Sequence, residues 1–331
     1  MSIFNYTPEN ISKWTRAGMR KSFGLQLSEL AGVHENLIAL TADVASSSSL
    51  NVFAEKFPER FFNLGVSEQN MIGVASGLAK ENNNVFVCTF APFVSMRAYE
   101  AIKILVCYMN LNVKIIALSS GFSLGVQGNT HYCFEDISLM RTLPNMKIFS
   151  PADVLEEAAI LEHTANLNTP AFVRLTGLDG TPGIFKSDPD FIEGELKIIR
   201  EPENNKDVAI ISTGSVINEC VRAARALKRE NISCAVFNAS TLKPFDDKKL
   251  KEISREYKII LTVEEHFLSG GLGGIVSEIL AGDNEKQNAR LIRLGIDDKF
   301  PLAGNYANML EKSGLNANGI INAIKNACSK N

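Results

Sequence analysis

The order of apolar and polar segments predicts an α/β protein with two doubly wound domains, and three observations lead to this prediction. Short strand-like and helix-like segments alternate between residues 36 and 175. A stretch rich in Gly, Pro and Asp follows at residues 177–193. A second alternation begins at Val208, so we place the boundary near residue 190 and expect domains at 1–190 and 191–331.

The first domain should begin with an amphipathic helix at residues 8–32, because Trp14, Met19 and Phe23 recur among charged residues. The other predicted helices are 71–79, 94–109, 135–143 and 153–166, and the predicted strands are 36–42, 61–64, 85–90, 113–118, 146–149 and 171–175. Gly73 and Gly77 interrupt the apolar helix 71–79, which predicts close packing against another backbone.

The second domain repeats this pattern over a shorter length. Its predicted strands are 208–212, 233–237, 259–263 and 291–294, and its predicted helices are 216–228, 248–257, 270–280 and 317–328. The glycine-rich segment 270–274 lacks the GxGxxG spacing of a dinucleotide site, so we assign it to tight packing of a helix on a strand.

The composition excludes several classes of partner. With 45% hydrophobic and 21% charged residues, the chain is typical of soluble globular proteins. Its net charge of −3 gives no reason to expect a nucleic acid or a membrane surface, and the N-terminus shows no signal peptide. Six scattered cysteines without a CxxC pair suit reduced thiols, so we expect a cytoplasmic protein.

An acidic residue lies where a short apolar strand meets an apolar helix. Gly65 ends the strand, Ser67 is a candidate N-cap, and Glu68 falls in the first helical turn. Glu68 has two interpretations at this point. Either it faces water and interacts with the helix dipole, or it is a partly buried carboxyl with a raised pKa that shares a proton with a cofactor nitrogen.

Two phenylalanines stand at the next junction of a strand and a helix. Phe90 ends the strand 85–90, and Phe93 lies just before the helix that follows. Aromatic faces at the carboxyl end of a parallel strand can enclose a planar heterocycle, at the edge of the sheet where ligands gather. Taken alone, this pattern favours two side chains that belong to the core.

Four motifs in order resemble the transketolase family. Asn63-Leu-Gly-Val-Ser-Glu-Gln-Asn-Met71, Thr89-Phe-Ala-Pro-Phe93 and Gly128-Asn-Thr-His-Tyr-Cys-Phe-Glu-Asp136 are similar to its pyrimidine-binding domain. The segment Thr262-Val-Glu-Glu-His-Phe-Leu-Ser-Gly-Gly-Leu-Gly-Gly274 is similar to its C-terminal domain. The resemblance covers nearly the whole chain and is closest to the C-terminal subunit of split, two-chain transketolases.

The resemblance implies thiamine diphosphate as cofactor and assigns residues to it. Glu68 takes the position of the catalytic glutamate that hydrogen-bonds the aminopyrimidine, whose tautomer then removes the thiazolium proton. Phe90 and Phe93 would hold the pyrimidine, and Met96 replaces a third aromatic residue. Asp43 would lie in the wall of the cofactor and substrate site, unless it is the N-cap of the next short helix.

The diphosphate-binding half of the family's apparatus is not found in this sequence. The family binds the diphosphate and Mg²⁺ with a separate domain that carries Gly-Asp-Gly and a downstream Asn. The nearest match, Gly-Leu-Asp-Gly at 177–180, has no such Asn. We therefore expect no metal ligands in this chain and an N-terminal transketolase subunit as partner, most simply in an α₂β₂ assembly.

The resemblance also implies substrate-binding residues. His131 takes the position of a histidine that contacts substrate hydroxyls during catalysis. Arg20 takes that of an arginine that binds the acceptor phosphate, and Ser47 would lie near this phosphate. Each assignment has an alternative. His131 could be an ordinary loop histidine, Arg20 a solvent-exposed helix residue, and Ser47 part of a serine-rich loop without a ligand.

Several positions depart from the family pattern. Ser119 replaces a histidine, Gln127 replaces an aspartate that reads a donor hydroxyl, and Gly177 stands where a second phosphate-binding arginine is expected. Arg174 is the candidate to compensate for the missing arginine. These departures predict a specialised transketolase that transfers a two-carbon ketol unit from a branched or otherwise unusual sugar.

Other functions remain open. The β subunit of a 2-oxo-acid dehydrogenase shares the fold and the glutamate, and a reaction like that of 1-deoxyxylulose-phosphate synthase is a further variant. The Gly-Asn-Thr-His and Thr-Val-Glu-Glu-His segments favour a transketolase. A non-catalytic scaffold subunit is the third possibility, although Glu68, Phe90, Phe93 and His131 occurring together argues against it.

Overall fold

Two β-sheets organise the protein, and the computed structural model describes residues 2–329. The strands are β1 (Leu37–Thr41), β2 (Phe61–Asn63), β3 (Asn84–Phe90), β4 (Val113–Leu118), β5 (Lys147–Phe149), β6 (Ala171–Arg174), β7 (Lys197–Arg200), β8 (Val208–Ser212), β9 (Cys234–Asn238), β10 (Thr241–Lys243), β11 (Ile259–Phe267) and β12 (Arg290–Ile296). The first sheet has the order β10-β5-β6-β4-β3-β1-β2, and the second has the order β12-β11-β8-β9-β7. Neighbouring strands are parallel except β10 beside β5 and β7 beside β9. The predicted α/β fold with two doubly wound domains is confirmed.

Helices cover these sheets, and β1, β4, β8 and β9 are consequently buried along their whole length. The helices are α1 (Pro8–Leu30), α2 (Leu50–Lys56), α3 (Glu68–Lys80), α4 (Tyr99–Ala101), α5 (Asp136–Arg141), α6 (Val154–Ala165), α7 (Ile217–Leu227), α8 (Asp247–Glu256), α9 (Leu272–Ala281), α10 (Tyr306–Lys312) and α11 (Ala317–Cys328). Wider π-type turns at Phe93–Arg97 and Ile102–Tyr108 flank α4, so the predicted helix 94–109 is wound less tightly than expected. No helix within residues 2–329 is long and apolar enough to cross a membrane.

Strand β10 joins the second half of the chain to the first sheet. It pairs with β5 in antiparallel orientation, which the sequence pattern did not predict. The first domain's last parallel strand, β6, ends at Arg174, and β7 begins at Lys197. The expected boundary near residue 190 therefore lies in the segment that connects the two sheets.

The glycines that were expected to allow close packing do so in the second domain and not in the first. A Cβ atom at Gly73 or Gly77 would meet nothing within 4 Å, so these glycines do not pack α3 against a backbone segment within residues 2–329. Gly271, just before α9, instead lies directly against the carboxylate of Glu264 in β11. A Cβ at Gly273 would lie 2.8 Å from Arg293 in β12, which agrees with the predicted packing of a helix on strands.

Candidate active site

Glu68 is buried at the start of α3, and its charge is paired with an arginine. The residue is 1% exposed, and Arg97 Nη1 donates to Glu68 Oε2 at 2.7 Å. Burial rules out the interpretation of Glu68 as a solvent-facing residue. The N-cap position of Ser67 is correct, but its hydroxyl donates to the Leu64 carbonyl instead of capping the helix. No hydrogen bond from residues 2–329 engages Glu68 Oε1, so one oxygen is anchored and the other can bind a ligand nitrogen.

Phe90, Phe93 and His131 form an aromatic cluster beside this ion pair. The centroid of Phe93 lies 6.4 Å from that of Phe90 and 5.4 Å from that of His131. The two phenylalanine planes meet at 78°, so the two rings lie edge to face and are not parallel. A flat heterocycle can still stack on one ring and contact the edge of the other.

Arg97 is a site residue that sequence reasoning missed. Its guanidinium carbon lies 4.7 Å from the centre of the Phe93 ring. Met96, which was expected to pack against the pyrimidine, is 45% exposed, and Arg97 occupies the place over Phe93 instead. A signal was available, because residues four apart on a helix are neighbours and arginine stacks well on aromatic faces.

Arg20 and Ser119, two of the predicted substrate-binding residues, lie on the wall of one cavity. The cavity has a volume of about 250 Å³. Its lining consists of Arg20, Ser119, Ser123, Gly177, Leu178 and Asp179. Asp179 was not predicted, and its Oδ2 lies 3.6 Å from Arg20 Nη2 and 2.7 Å from Lys21 Nζ. The arginine in this cavity is therefore already paired with a carboxylate.

A break in α1 brings Asp179 into this position. Gly18 interrupts the helix with a left-handed backbone conformation (φ 69°), and a Cβ at this residue would lie 2.7 Å from the Asp179 Cα. The N–H of Gly180 donates to the Thr15 carbonyl at 3.1 Å, which holds the connecting segment against the helix. No local sequence pattern indicates this contact, because the two segments are far apart along the chain.

Asp43, Ser47 and Gln127 are not among the residues that line the cavity. Asp43 is exposed and exchanges two hydrogen bonds with Asn63, at 3.0 and 3.2 Å, which joins the ends of β1 and β2. Its alternative role as N-cap of α2 is wrong, because Ser49 occupies that position. Ser47 is half-buried and Gln127 is exposed, so both side chains can still reach a ligand.

The substrate-binding role predicted for Arg174 is wrong. The side chain is fully buried, its Nε donates to Asp136 Oδ2 at 2.8 Å, and its Nη2 donates to the Glu265 carbonyl at 2.5 Å. A guanidinium enclosed by these partners cannot reach a substrate phosphate. It instead connects α5 of the first domain to β11 of the second.

Within residues 2–329, no group of three or more His, Cys, Asp or Glu side chains is arranged to hold a metal ion.

Comparisons with known proteins match both domains. A family model described as "Transketolase, pyrimidine binding domain" matches residues 16–179, and one described as "Transketolase, C-terminal domain" matches residues 194–320.

Two proteins similar in sequence align with this chain over at least 90% of their own length. A "Putative transketolase C-terminal section" from Methanocaldococcus jannaschii is 39% identical, over 95% of this chain and 97% of that protein. One subunit of an apulose-4-phosphate transketolase from Actinobacillus succinogenes is 34% identical, over 86% of this chain and 90% of that protein. A solved structure described as "Split gene transketolase, inactive beta4 tetramer" superposes with a TM-score of 0.83 at 36% identity, covering 94% of this chain and 98% of that one.

Proposed function

The chain belongs to the transketolase family, and from this premise we propose that it forms the pyrimidine-binding half of a thiamine diphosphate-dependent ketol transferase. The single observation that carries the proposal is the buried Glu68 carboxylate, anchored by Arg97 beside Phe93. The bound cofactor would supply an electron sink for breaking a carbon–carbon bond of a ketose. The residues present fit a pyrimidine, since they offer a carboxylate oxygen and an aromatic face together.

Each residue of this cluster would have a distinct task. Glu68 Oε1 would share a proton with a ring nitrogen of the pyrimidine, and Arg97 would keep the carboxyl group in the orientation that this bond requires. Phe90 and Phe93 would contact the ring and exclude water. His131 Nδ1 lies 2.9 Å from Thr130 Oγ1, which leaves Nε2 to meet a sugar hydroxyl.

A partner subunit would complete the site by supplying the groups that bind the diphosphate and Mg²⁺. Exposed apolar side chains on the elements around Glu68 support this proposal, among them Val66 at 72% and Tyr108 at 82%. Such surfaces commonly mark interaction sites. The similar proteins named as a subunit and as an inactive tetramer of β chains also support a partner. The simplest complete assembly would be α₂β₂, and we propose that it works in the cytoplasm.

The substrate would be a ketose other than the usual pentose phosphates. Asp179 pairs with Arg20, and Gly177 provides no second arginine, so the cavity offers less positive charge to a phosphate than two free arginines would. Ser119 adds a hydroxyl that can contact a sugar. A relative that acts on apulose 4-phosphate, by its name, supports an unusual substrate.

Reconstitution with an N-terminal transketolase subunit tests the proposal. We expect ketol transfer from the mixture with thiamine diphosphate and Mg²⁺, and none from the chain alone. Glu68→Ala should lower the rate in the mixture by about 10²- to 10⁴-fold. The matched control is Glu81→Ala, at the exposed end of the same helix, which should leave the rate unchanged. Full activity of Glu68→Ala would reject the catalytic proposal, and turnover by the chain alone would reject the requirement for a partner.

A further inference from the structure

The loop that carries three predicted substrate residues rests on the second domain. This substrate loop, residues 119–131, follows β4, and its base is closed where Gly121 N donates to the Cys133 carbonyl at 2.9 Å. Further along, Asn129 Nδ2 donates to the Pro301 carbonyl at 2.7 Å. The loop therefore lies between the candidate active site and the second domain.

Glu265 makes the contact at the start of the loop. Its Oε2 accepts from Phe122 N at 3.2 Å, and its Oε1 accepts from Tyr306 Oη at 2.6 Å. Ser215 Oγ lies 3.4 Å from Oε1 as a further donor. Because the Glu265 side chain is buried, each of these bonds forms away from water, and a lost partner would leave an unsatisfied polar group.

The location of Glu265 is one where α/β sheets usually bind ligands. In the second sheet, β8 lies between β9 and β11, so the strand order changes direction at β8. Ser215 follows β8, and Glu265 lies near the carboxyl end of β11. In this protein, the backbone N–H of Phe122 in the first domain bonds to Glu265 at this edge of the sheet.

The loop backbone is fitted to this contact. Gly121 has a left-handed conformation (φ 66°), and a Cβ there would lie 2.7 Å from Glu265 Oε2. A side chain at Gly121 would therefore be strained and would push the loop away from the carboxylate. The hydrogen bond from Phe122 N to Glu265 Oε2 therefore forms only when the loop lies close to the Glu265 carboxylate.

We propose that Glu265 is a positioning residue, through which the second domain holds the substrate loop in the geometry that binds the sugar. The effect on the sugar rests on the proposed function, since it requires Ser119 and His131 to contact the substrate. The effect on the loop itself does not depend on that function.

Four variants in the reconstituted complex distinguish loss of loop positioning from general loss of structure. Glu265→Leu removes both acceptors, whereas Glu265→Gln keeps one acceptor for Phe122 N and can donate to the hydroxyl of Tyr306. Glu264→Leu is the matched control. Within residues 2–329, this neighbouring buried carboxylate accepts hydrogen bonds only from Leu272 N and Gly273 N, which belong to its own domain. Should Glu265→Leu fail to fold, Gly121→Ala disrupts the same contact from the loop side.

The readouts are amide hydrogen exchange of the substrate loop, KM for the ketose and affinity for thiamine diphosphate. In Glu265→Leu or Gly121→Ala we expect loop exchange and KM to rise by at least about tenfold, with cofactor affinity unchanged. Glu265→Gln should stay near wild type, and Glu264→Leu should leave loop exchange and KM unchanged. Wild-type loop exchange in Glu265→Leu, or equal changes in Glu264→Leu, would overturn the proposal. If wild type shows no ketol transfer, the proposed function fails, while loop exchange still decides whether Glu265 positions the loop.

Discussion

Arg97 donates to Glu68 at 2.7 Å while its guanidinium covers the ring of Phe93. One side chain thus connects the buried carboxylate to the aromatic cluster. The Arg97 side chain is 49% exposed, so it also forms part of the outer wall of the site. The orientation of Glu68 therefore depends on a residue that borders solvent and, in our proposal, the partner subunit.

Loss of this anchor should weaken catalysis without unfolding the chain. For Arg97→Met we expect kcat to fall by about 10- to 100-fold, because Glu68 would lose the hydrogen bond that orients it. Rates would be measured in the reconstituted complex at saturating cofactor. Lys103→Met, which also removes an exposed cation from this stretch, is the control and should be silent. A wild-type kcat in Arg97→Met would contradict the role of the anchor.

Removing the carboxylate beside Arg20 should change substrate preference. In Asp179→Asn the guanidinium of Arg20 loses its competing ion pair, so phosphorylated ketoses should bind more tightly, by about fivefold in KM. The measurement compares kcat/KM for xylulose 5-phosphate and for unphosphorylated ketoses. Asp188→Asn, an exposed acid in the connecting segment, serves as control. An unchanged ratio, or a wild-type enzyme that clearly prefers xylulose 5-phosphate, would reject this account of the cavity.

Arg174 should matter for stability and not for substrate choice. Arg174→Met would leave Asp136 buried without its cationic partner, which we expect to lower the free energy of unfolding by about 3–5 kcal/mol. Denaturant unfolding measures this loss, and KM for the ketose should change little in the folded fraction. Arg20→Met should show the opposite pattern, with altered KM and nearly wild-type stability. A large KM effect in a stable Arg174→Met protein would restore the substrate role.

Glu156 should make stability depend on pH. Burial raises the pKa of Glu156 to about 7, against hydrogen bonds from Ala152 N and Asn238 Nδ2 that lower it. The native state then holds a proton that the unfolded state releases above its ordinary pKa of 4.5. The proton on Glu156 therefore stabilises the native state fully below pH 4.5, and this stabilisation is lost as pH rises through about 7. The total loss in the free energy of unfolding is about 3 kcal/mol.

Glu156→Gln imitates the protonated carboxyl and does not titrate. The variant should therefore gain stability relative to wild type between pH 5 and pH 8, by about 2–3 kcal/mol in the free energy of unfolding. The amide of Asn238 can rotate to match it, since Asn238 Oδ1 is buried without a hydrogen-bond partner in the described chain. Parallel stability profiles of the two proteins across this range would contradict the prediction.

Local sequence patterns were sufficient for much of the fold. Strand β4 and helix α11 have the predicted bounds, 113–118 and 317–328, because a run that is apolar except for Lys114 and a sustained amphipathic period are local signals. Strand β10 was missed because its three residues pair with a strand far away in the chain. The similar proteins favour a transketolase over a 2-oxo-acid dehydrogenase subunit, as the motifs predicted.

In the candidate site too, local motifs predicted some residues, whereas the role of another depends on contacts with residues far away in the chain. Glu68, Phe90 and Phe93 follow from motifs at strand ends, where open sheets place their ligands. Arg174 also lies at a strand end, but its partners Asp136 and Glu265 come from other elements and turn it inward. Its role depends on a contact between domains, which residue type and position alone do not reveal.

The most direct test of the central claim is the exchange rate of the thiazolium ring proton of thiamine diphosphate in the reconstituted complex. If Glu68 acts on the pyrimidine, the isosteric variant Glu68→Gln should slow this exchange by at least about 10²-fold while the cofactor remains bound. An exchange rate in Glu68→Gln equal to that of wild type, at full cofactor occupancy, would contradict the account.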